Sequence, residues 1–195
     1  MALMSIEEIT PEVRLGLWRI EENVEDFHIP QRERVLAQFR SESRRLQKLA
    51  IYALLGVMTG DDDVVVSHTP SGKPELEGWH ISISDTRGYV AVILARKQRV
   101  AVDIEYVANR VNRVAPRFIR PDEIATSTMS RLVHWSGKET AYKYYSEQGL
   151  QHFEMRLKPF QLSESGNVIV DNLRTGESLR VCYRKNNSFV LTYAY

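Results

Sequence analysis

Two carboxylates with alternating spacing stand out in the segment RVAVDIEYVANR, residues 99–110. Its apolar part is typical of a β-strand, in which Asp103 and Glu105 point to one face while Val102 and Ile104 point to the other. Paired carboxylates suit Mg²⁺, because this cation prefers hard oxygen ligands. A solvent-facing strand edge, where charges discourage pairing with another chain, would account for the same two acids.

A metal role requires a third oxygen ligand, and a second segment offers one. The sequence WSGKETAYK contains Glu139, with Lys138 beside it and Lys143 one helical turn later. A glutamate and a lysine four residues apart also form ordinary pairs on wet helix faces. The five histidines show no metal-ligand spacing, and the chain has no phosphate-binding glycine loop and no nucleophile elbow.

Arginines recur between these two segments, where residues 106–121 contain no acid. Their spacings of three, four and three residues could place them along one helical face, although Pro116 argues against an unbroken helix. They are Arg110, Arg113, Arg117 and Arg120. Such a stripe could steer an acidic partner, and a basic loop that counters nearby acids would look the same.

The elements that position these residues follow from periodicity. Apolar residues at helical spacing predict helices at 41–58 and 131–148, and Pro30 marks the start of a shorter helix. Strands are predicted at the alternating or apolar segments EVRLGLWRI, VVVSH, WHISIS, GYVAVILA, RVAVDIE, FEMRLK, NVIV, ESLRVCYR and SFVLTYAY. Each half then contains a helix followed by about three hairpin-linked strands.

We therefore predict an α+β fold with two similar lobes, each a helix packed on a small antiparallel sheet, related by a pseudo-twofold. The predicted lobes are residues 1–98 and 99–195, together forming one structural unit. The sequence shows no residue-level repeat between the halves.

Composition restricts the classes of function. Lys and Arg number 26 against 25 Asp and Glu, so no global field favours nucleic acid or a membrane surface. Hydrophobic residues make up 43% of the 195 residues, enough for a sizeable core. A single cysteine, Cys182, and an N-terminus without an apolar signal run predict a soluble cytoplasmic protein.

Several short blocks together resemble the ordered signature of the 4′-phosphopantetheinyl transferase superfamily. They run in order from about Arg45 to Phe160 and suit its two-lobed, monomeric, Sfp-like branch. The blocks are SGKPEL at 71–76, ISISDTRGYVAVIL, VDIE, RFIRPDE with Phe118 and Glu123, and WSGKETAYK with Trp135.

The resemblance implies the fold of that superfamily and transfer of 4′-phosphopantetheine from coenzyme A to a serine of an acidic apo carrier protein. It implies that Asp103, Glu105 and Glu139 hold Mg²⁺, or Mn²⁺, against the pyrophosphate. Glu139 would accept the serine proton, and Lys143 would stabilise the leaving phosphate. Arg110, Arg113 and Arg117 would dock the carrier.

The nucleotide end of coenzyme A is expected at Arg45, Lys73, Ser84, Asp85 and Lys138, with Arg44 as a substitute for Arg45. Trp135 is expected to be a packing residue that supports the helix, and not a stacking platform. Asp85 departs from the family pattern, which has histidine there, and a carboxylate repels a phosphate unless a cation such as Arg87 intervenes.

Two milder departures are Thr140, where a smaller residue is usual, and Tyr52, where a second arginine often follows the first. The sequence thus leaves two functions open: an active transferase, or a catalytically impaired relative that binds carrier protein or coenzyme A. It does not identify the carrier or its pathway.

Overall fold

The computed structural model describes residues 3–195 and has a mixed α/β fold with antiparallel sheets. The chain divides into two compact units, Met1–Val100 and Ala101–Tyr195, which are described separately. Among the described residues, no helix combines the length and the apolar character that crossing a membrane would require.

The N-terminal unit contains a four-stranded antiparallel sheet in the order β1-β2-β6-β5 and a two-stranded sheet of β3 and β4. Its strands are β1 (Leu3–Thr10), β2 (Val13–Arg19), β3 (Ser67–His68), β4 (Pro74–Glu75), β5 (His80–Thr86) and β6 (Tyr89–Ala95). Its helices are α1 (Arg32–Gln38) and α2 (Glu42–Thr59), preceded by a 3₁₀ turn at Val24–Asp26.

Helix α2 covers the four-stranded sheet and forms the core of this unit. Leu49 and Leu54 of α2 are completely buried against residues such as Val92 of β6. The helix approaches β2 so closely that a Cβ atom added at Gly16 would lie 2.5 Å from the sulfur of Met58. It ends at Gly60, whose φ of 74° is the left-handed conformation that glycine adopts at little cost.

The C-terminal unit contains one five-stranded antiparallel sheet in the order β7-β11-β10-β9-β8. Its strands are β7 (Ala101–Tyr106), β8 (Met155–Leu157), β9 (Ser165–Asn172), β10 (Ser178–Lys185) and β11 (Phe189–Ala194). Its helices are α3 (Arg110–Val114) and α4 (Thr128–Tyr144), and 3₁₀ turns lie at Ala115–Arg117 and His152–Glu154.

Helix α4 packs across this second sheet. It starts at the N-cap Ser127, whose hydroxyl accepts a hydrogen bond from the Ser130 amide while the Ser130 hydroxyl reaches back to the Ser127 amide. Val133 is completely buried in a core that includes Phe118 and Tyr183. One face of α4 is therefore fixed against the sheet, including the strand β7 that bears the two acids.

The predicted fold class is confirmed in its mixed α/β composition and antiparallel sheets, and the pseudo-twofold stays a prediction. The strand predicted at EVRLGLWRI is β2, whereas β1, which pairs with it and also precedes the helices, was not predicted. In VVVSH only Ser67–His68 forms a strand. Helix α4 begins and ends three to four residues earlier than predicted.

Candidate active site

Asp103 lies at the centre of the candidate site and is only 4% exposed. Its carboxylate accepts a hydrogen bond of 2.8 Å from the Ser136 hydroxyl of α4 and lies 2.8 Å from the Lys143 ammonium of the same helix. Both partners belong to α4, so this carboxylate points towards the helix. A solvent-facing strand edge is therefore not its environment.

Glu105 points to the same helix, as the alternation of the strand predicts. Its carboxylate accepts a hydrogen bond of 2.8 Å from the indole N–H of Trp135. The pKa of Glu105 is raised to about 7, chiefly by burial and also by the negative charges of Asp103 and Glu139, whereas the Trp135 hydrogen bond and the Lys143 charge lower it. Asp103 and Glu139 are thus each close enough to Glu105 to repel its charge.

Glu139 lies on α4, and its carboxylate contacts His152, a residue that sequence analysis did not single out. The Glu139 Oε1 atom lies 3.1 Å from Nε2 of His152. The imidazole of His152 also stacks on Trp135, with ring centroids 5.1 Å apart and planes inclined by 20°. Trp135 therefore does more than pack, since it contacts both His152 and Glu105.

A chain of buried hydroxyls continues from Asp103 into the sheet. Ser136 lies 2.8 Å from the Thr192 hydroxyl of β11, which lies 2.6 Å from the Thr140 hydroxyl. All three residues are completely buried. The resembled family usually has a smaller residue at the position of Thr140. The buried Thr140 hydroxyl nevertheless has a hydrogen-bond partner, so it is not an unsatisfied polar group.

A divalent cation is compatible with the chemistry of these acids, although no group of three or more potential ligands within residues 3–195 is already arranged to bind one. The repulsion of Glu105 by Asp103 and Glu139 favours a cation, and hard oxygen donors favour Mg²⁺ or Mn²⁺. The Lys143 ammonium lies 2.8 Å from the Asp103 carboxylate, where it supplies positive charge that a bound cation would otherwise provide. A cation bound by Asp103 would therefore compete with Lys143 for this carboxylate.

A pocket of about 510 Å³ opens beside Glu105 within the C-terminal unit. Its lining combines apolar residues, aromatic residues and two arginines: Glu105, Tyr106, Ala108, Arg110, Val111, Val114, Arg117, Leu132, Trp135 and His152. Arg110 lies on α3 and Arg117 in the following 3₁₀ turn, so Pro116 does interrupt the helix. Arg113 is exposed and does not line the pocket.

Lys138 lies in the protein interior, which disagrees with its predicted contact to coenzyme A. Its side chain is 0% exposed, and its ammonium lies 2.8 Å from the equally buried carboxylate of Glu123. Burial lowers the pKa of Lys138, whereas the hydrogen bond and charge of Glu123 raise it. The ammonium also donates to the backbone carbonyls of Phe118 and His152, so Lys138 holds three segments together.

The other predicted nucleotide contacts lie in the N-terminal unit. Asp85 forms an ion pair with Arg44 of α2, with 3.2 Å between the guanidinium and the carboxylate. The cation beside this carboxylate is therefore Arg44 and not Arg87, which the sequence had suggested. Arg45 instead donates to the backbone carbonyls of Leu36 and Phe39 at the end of α1. Arg44 is the more exposed of the two arginines.

Ser84 is 8% exposed, and Lys73 is half-buried between β3 and β4. The turn that carries Lys73 is closed by a 2.9 Å hydrogen bond from the Thr69 amide to the Lys73 carbonyl.

His152 is the main site residue that sequence reasoning missed. It lies in a 3₁₀ turn and meets Glu139 from 13 residues further along the chain, a distance that corresponds to no helical or strand repeat. Sequence analysis noted Glu123 as part of the RFIRPDE block, but it did not predict the ion pair of Glu123 with Lys138. Buried pairs of this kind leave no periodic signal in a sequence.

Comparison with known proteins gives one family match, to the model of the 4′-phosphopantetheinyl transferase superfamily over residues 99–194. No curated protein matches the chain. The matched range includes the C-terminal unit except Tyr195, with the three acids, the pocket and the Lys138–Glu123 pair. Proteins of this superfamily transfer phosphopantetheine and generally use coenzyme A and a divalent metal. Residues 99–194 therefore form a domain of the 4′-phosphopantetheinyl transferase superfamily.

Proposed function

We propose that the protein transfers 4′-phosphopantetheine from coenzyme A to a serine hydroxyl of an apo carrier protein, and that the reaction depends on a divalent metal. The observation that carries the proposal is that Asp103 and Glu105 of β7 both contact α4, where Lys143 lies beside Asp103 and Glu139 is near enough to raise the pKa of Glu105. Transfer of this kind forms a bond from the serine oxygen to phosphorus and breaks the pyrophosphate bond, which releases 3′,5′-ADP.

Asp103, Glu105 and Glu139 would hold the cation, whose charge would offset the negative charge that develops on the pyrophosphate. Glu139 would accept the serine proton. Lys143, once released from Asp103, would donate to the departing phosphate oxygen. The 26% exposure of the Lys143 side chain supports this role, because an ammonium at the surface can reorient without a large desolvation cost.

The carrier would approach over the pocket beside Glu105. Its arginines, Arg110 and Arg117, provide positive charge for an acidic carrier, and Val111 and Leu132 provide an apolar floor. Glu105 lines the pocket and also belongs to the acid cluster, the group formed by Asp103, Glu105 and Glu139. A serine presented at the pocket would therefore lie near the proposed metal. Arg113 would contribute to the field around the pocket.

The nucleotide end of coenzyme A would bind to cations of the N-terminal unit. Arg44 and Lys73 are the candidates that the structure favours, because two nitrogen donors of Arg45 are already engaged with backbone carbonyls. The ion pair with Arg44 offsets the charge of Asp85, the residue that raised the alternative of an impaired, binding-only relative. The pair therefore supports the active enzyme over that alternative.

A mass measurement tests the proposal. Purified protein would be incubated with an apo acyl carrier protein, coenzyme A and Mg²⁺, and the carrier would be weighed by intact mass spectrometry. We expect the mass gain of one phosphopantetheine, which EDTA abolishes. An apo peptidyl carrier protein run in parallel would identify the preferred class of carrier. An unmodified mass with every carrier, together with measurable carrier binding, would favour the binding-only alternative.

A further inference from the structure

His152 belongs to none of the sequence blocks, yet its imidazole lies directly between two parts of the acid cluster. One ring nitrogen is 3.1 Å from the Glu139 carboxylate, and the ring face stacks on Trp135. Trp135 in turn donates to Glu105. The stacked rings of His152 and Trp135 thus connect Glu139 of α4 with Glu105 of β7.

The backbone of His152 is held as firmly as its ring. Its carbonyl accepts a hydrogen bond of 3.2 Å from the buried ammonium of Lys138. His152 is the first residue of a 3₁₀ turn. A 2.8 Å hydrogen bond from the Gln151 amide to the Glu154 carboxylate closes this turn. Phe118 lies 6.5 Å from the imidazole, measured between ring centroids. These contacts leave the ring little freedom to turn away from Glu139.

A glutamate on a helix face has three rotatable bonds, and its carboxylate at 24% side-chain exposure can sample several directions unless a partner restricts it. Groups that hydrogen-bond a metal ligand from outside fix its orientation, and their loss weakens metal binding. Among the contacts described for the Glu139 carboxylate, the one to His152 can restrict it in this way.

We infer that His152 is a positioning residue: its imidazole, stacked on Trp135, holds the Glu139 carboxylate in the direction required for the divalent cation. The inference rests on the proposed function for the identity of that cation. It assigns His152 a role in transfer without requiring that it touch either substrate.

Two substitutions separate the hydrogen bond from the stacking. In His152→Gln the side-chain amide can still donate to Glu139 but cannot stack as the imidazole does. In His152→Phe the ring can stack on Trp135 but cannot donate. His28→Gln, at an exposed position of the N-terminal unit, is the matched control. Circular dichroism and thermal melting would establish that each variant is folded.

Direct binding of Mn²⁺, measured by calorimetry in the absence of coenzyme A and carrier, is the primary readout. We expect His152→Phe to weaken Mn²⁺ binding about tenfold or more, as is usual when a group behind a metal ligand is lost. His152→Gln should stay within about threefold of the wild type, since its donor remains. In the transfer assay, kcat should fall in His152→Phe while KM for coenzyme A stays unchanged.

A double-mutant cycle on stability checks the contact itself without metal or substrate. His152→Phe, Glu139→Gln and the double variant would be unfolded with urea in EDTA, and we expect their effects to be non-additive. Additive effects would overturn the inference. So would wild-type Mn²⁺ affinity in His152→Phe, or equal losses in the Phe and Gln variants.

These outcomes are distinct from a failure of the proposed function. A wild-type protein that binds Mn²⁺ but modifies no carrier would refute the transferase activity, while the Mn²⁺ affinities of the variants would still decide the role of His152. A wild-type protein that binds no Mn²⁺ would overturn the metal assignment and the role of His152 with it.

Discussion

The ammonium of Lys143 lies 2.8 Å from the carboxylate of Asp103 and 2.9 Å from the carbonyl of Val102. A lysine that pairs with a metal ligand competes with the metal for it. Lys143 therefore has two functions in the proposed mechanism: it neutralises Asp103 before the metal binds, and it serves the leaving phosphate afterwards.

Lys143→Met should change metal affinity and turnover in opposite directions. Removing the competing ammonium should strengthen Mn²⁺ binding about two- to fivefold, which corresponds to the free energy of a partly exposed ion pair. Loss of the acid that serves the leaving group should lower kcat about a hundredfold. Calorimetry and the carrier mass assay measure the two effects, with Lys143→Arg as the charge-preserving control. Weaker Mn²⁺ binding in Lys143→Met would contradict the competition.

Neutral isosteres of the three acids should each abolish transfer without unfolding the protein. Asp103→Asn, Glu105→Gln and Glu139→Gln should each lower kcat/KM at least about a hundredfold, because each removes a charged ligand from the cation. Asparagine is preferred to alanine at residue 103, since Ser136 still needs an acceptor there. Glu164→Gln, at an exposed position of the same unit, is the control. Near-normal activity in two of the three variants would refute the metal assignment.

The raised pKa of Glu105 predicts a pH dependence of stability in the metal-free protein. An unfolded glutamate ionises near 4.5 and the folded Glu105 near 7, so the folded state binds more protons between these values and loses stability as the pH rises through them. Glu105→Gln removes this loss. The gain in free energy of unfolding from the substitution should be about 2 kcal/mol larger at pH 8 than at pH 5. Urea unfolding in EDTA measures it, and an equal gain at both pH values would contradict the assignment.

Removal of positive charge beside the pocket should weaken carrier recognition selectively. Arg110→Gln combined with Arg117→Gln should raise the KM for the carrier about three- to tenfold at low salt and flatten its salt dependence. Affinity for coenzyme A should not change. Arg180→Gln, an exposed site on β10, controls for a general loss of charge. If Arg113→Gln has the larger effect, the carrier docks outside the pocket.

The ion pair between Arg44 and Asp85 predicts a specific response to the 3′-phosphate of coenzyme A. Asp85→Asn should release the Arg44 guanidinium and tighten coenzyme A about five- to thirtyfold, as expected for a charge-assisted hydrogen bond of about 1 to 2 kcal/mol. Dephospho-coenzyme A, which lacks that phosphate, should bind both proteins equally. The gain should vanish when Arg44→Gln is added. Equal tightening of both ligands would show that Asp85 faces away from the phosphate.

Short-range regularities in the sequence predicted the elements that carry the acids. The alternation around Asp103 and the helical spacing around Glu139 are local, and the structure brings both to the contact between β7 and α4. Arg44 and Arg45 show the limit of such reasoning, since adjacent helix positions differ by about 100° in direction, which spacing alone does not resolve. Strand β1 was missed because Glu7 and Glu8 interrupt its alternation and its side chains are half-exposed.

Contacts between distant segments could not be predicted. The Lys138–Glu123 pair and the approach of His152 to Glu139 depend on how the segments before and after α4 pack against it, at separations of 15 and 13 residues. A lysine beside a glutamate in a helix is usually solvated, so the sequence favoured a surface role for Lys138. Its complete burial follows from the carboxylate and carbonyls that the loops bring to it.

The place of β7 in its sheet determines when the acid cluster can form during synthesis. Within the described sheet β7 lies at one edge, and Asp103 pairs with Thr192 of β11. Because β11 lies roughly 80 residues further along the chain, a ribosome needs roughly 4 to 16 seconds to supply this partner after β7 has emerged. Until then Asp103 and Glu105 belong to an unpaired segment. The two acids of β7 therefore take their place in the sheet only after the last strand of the unit has been synthesised.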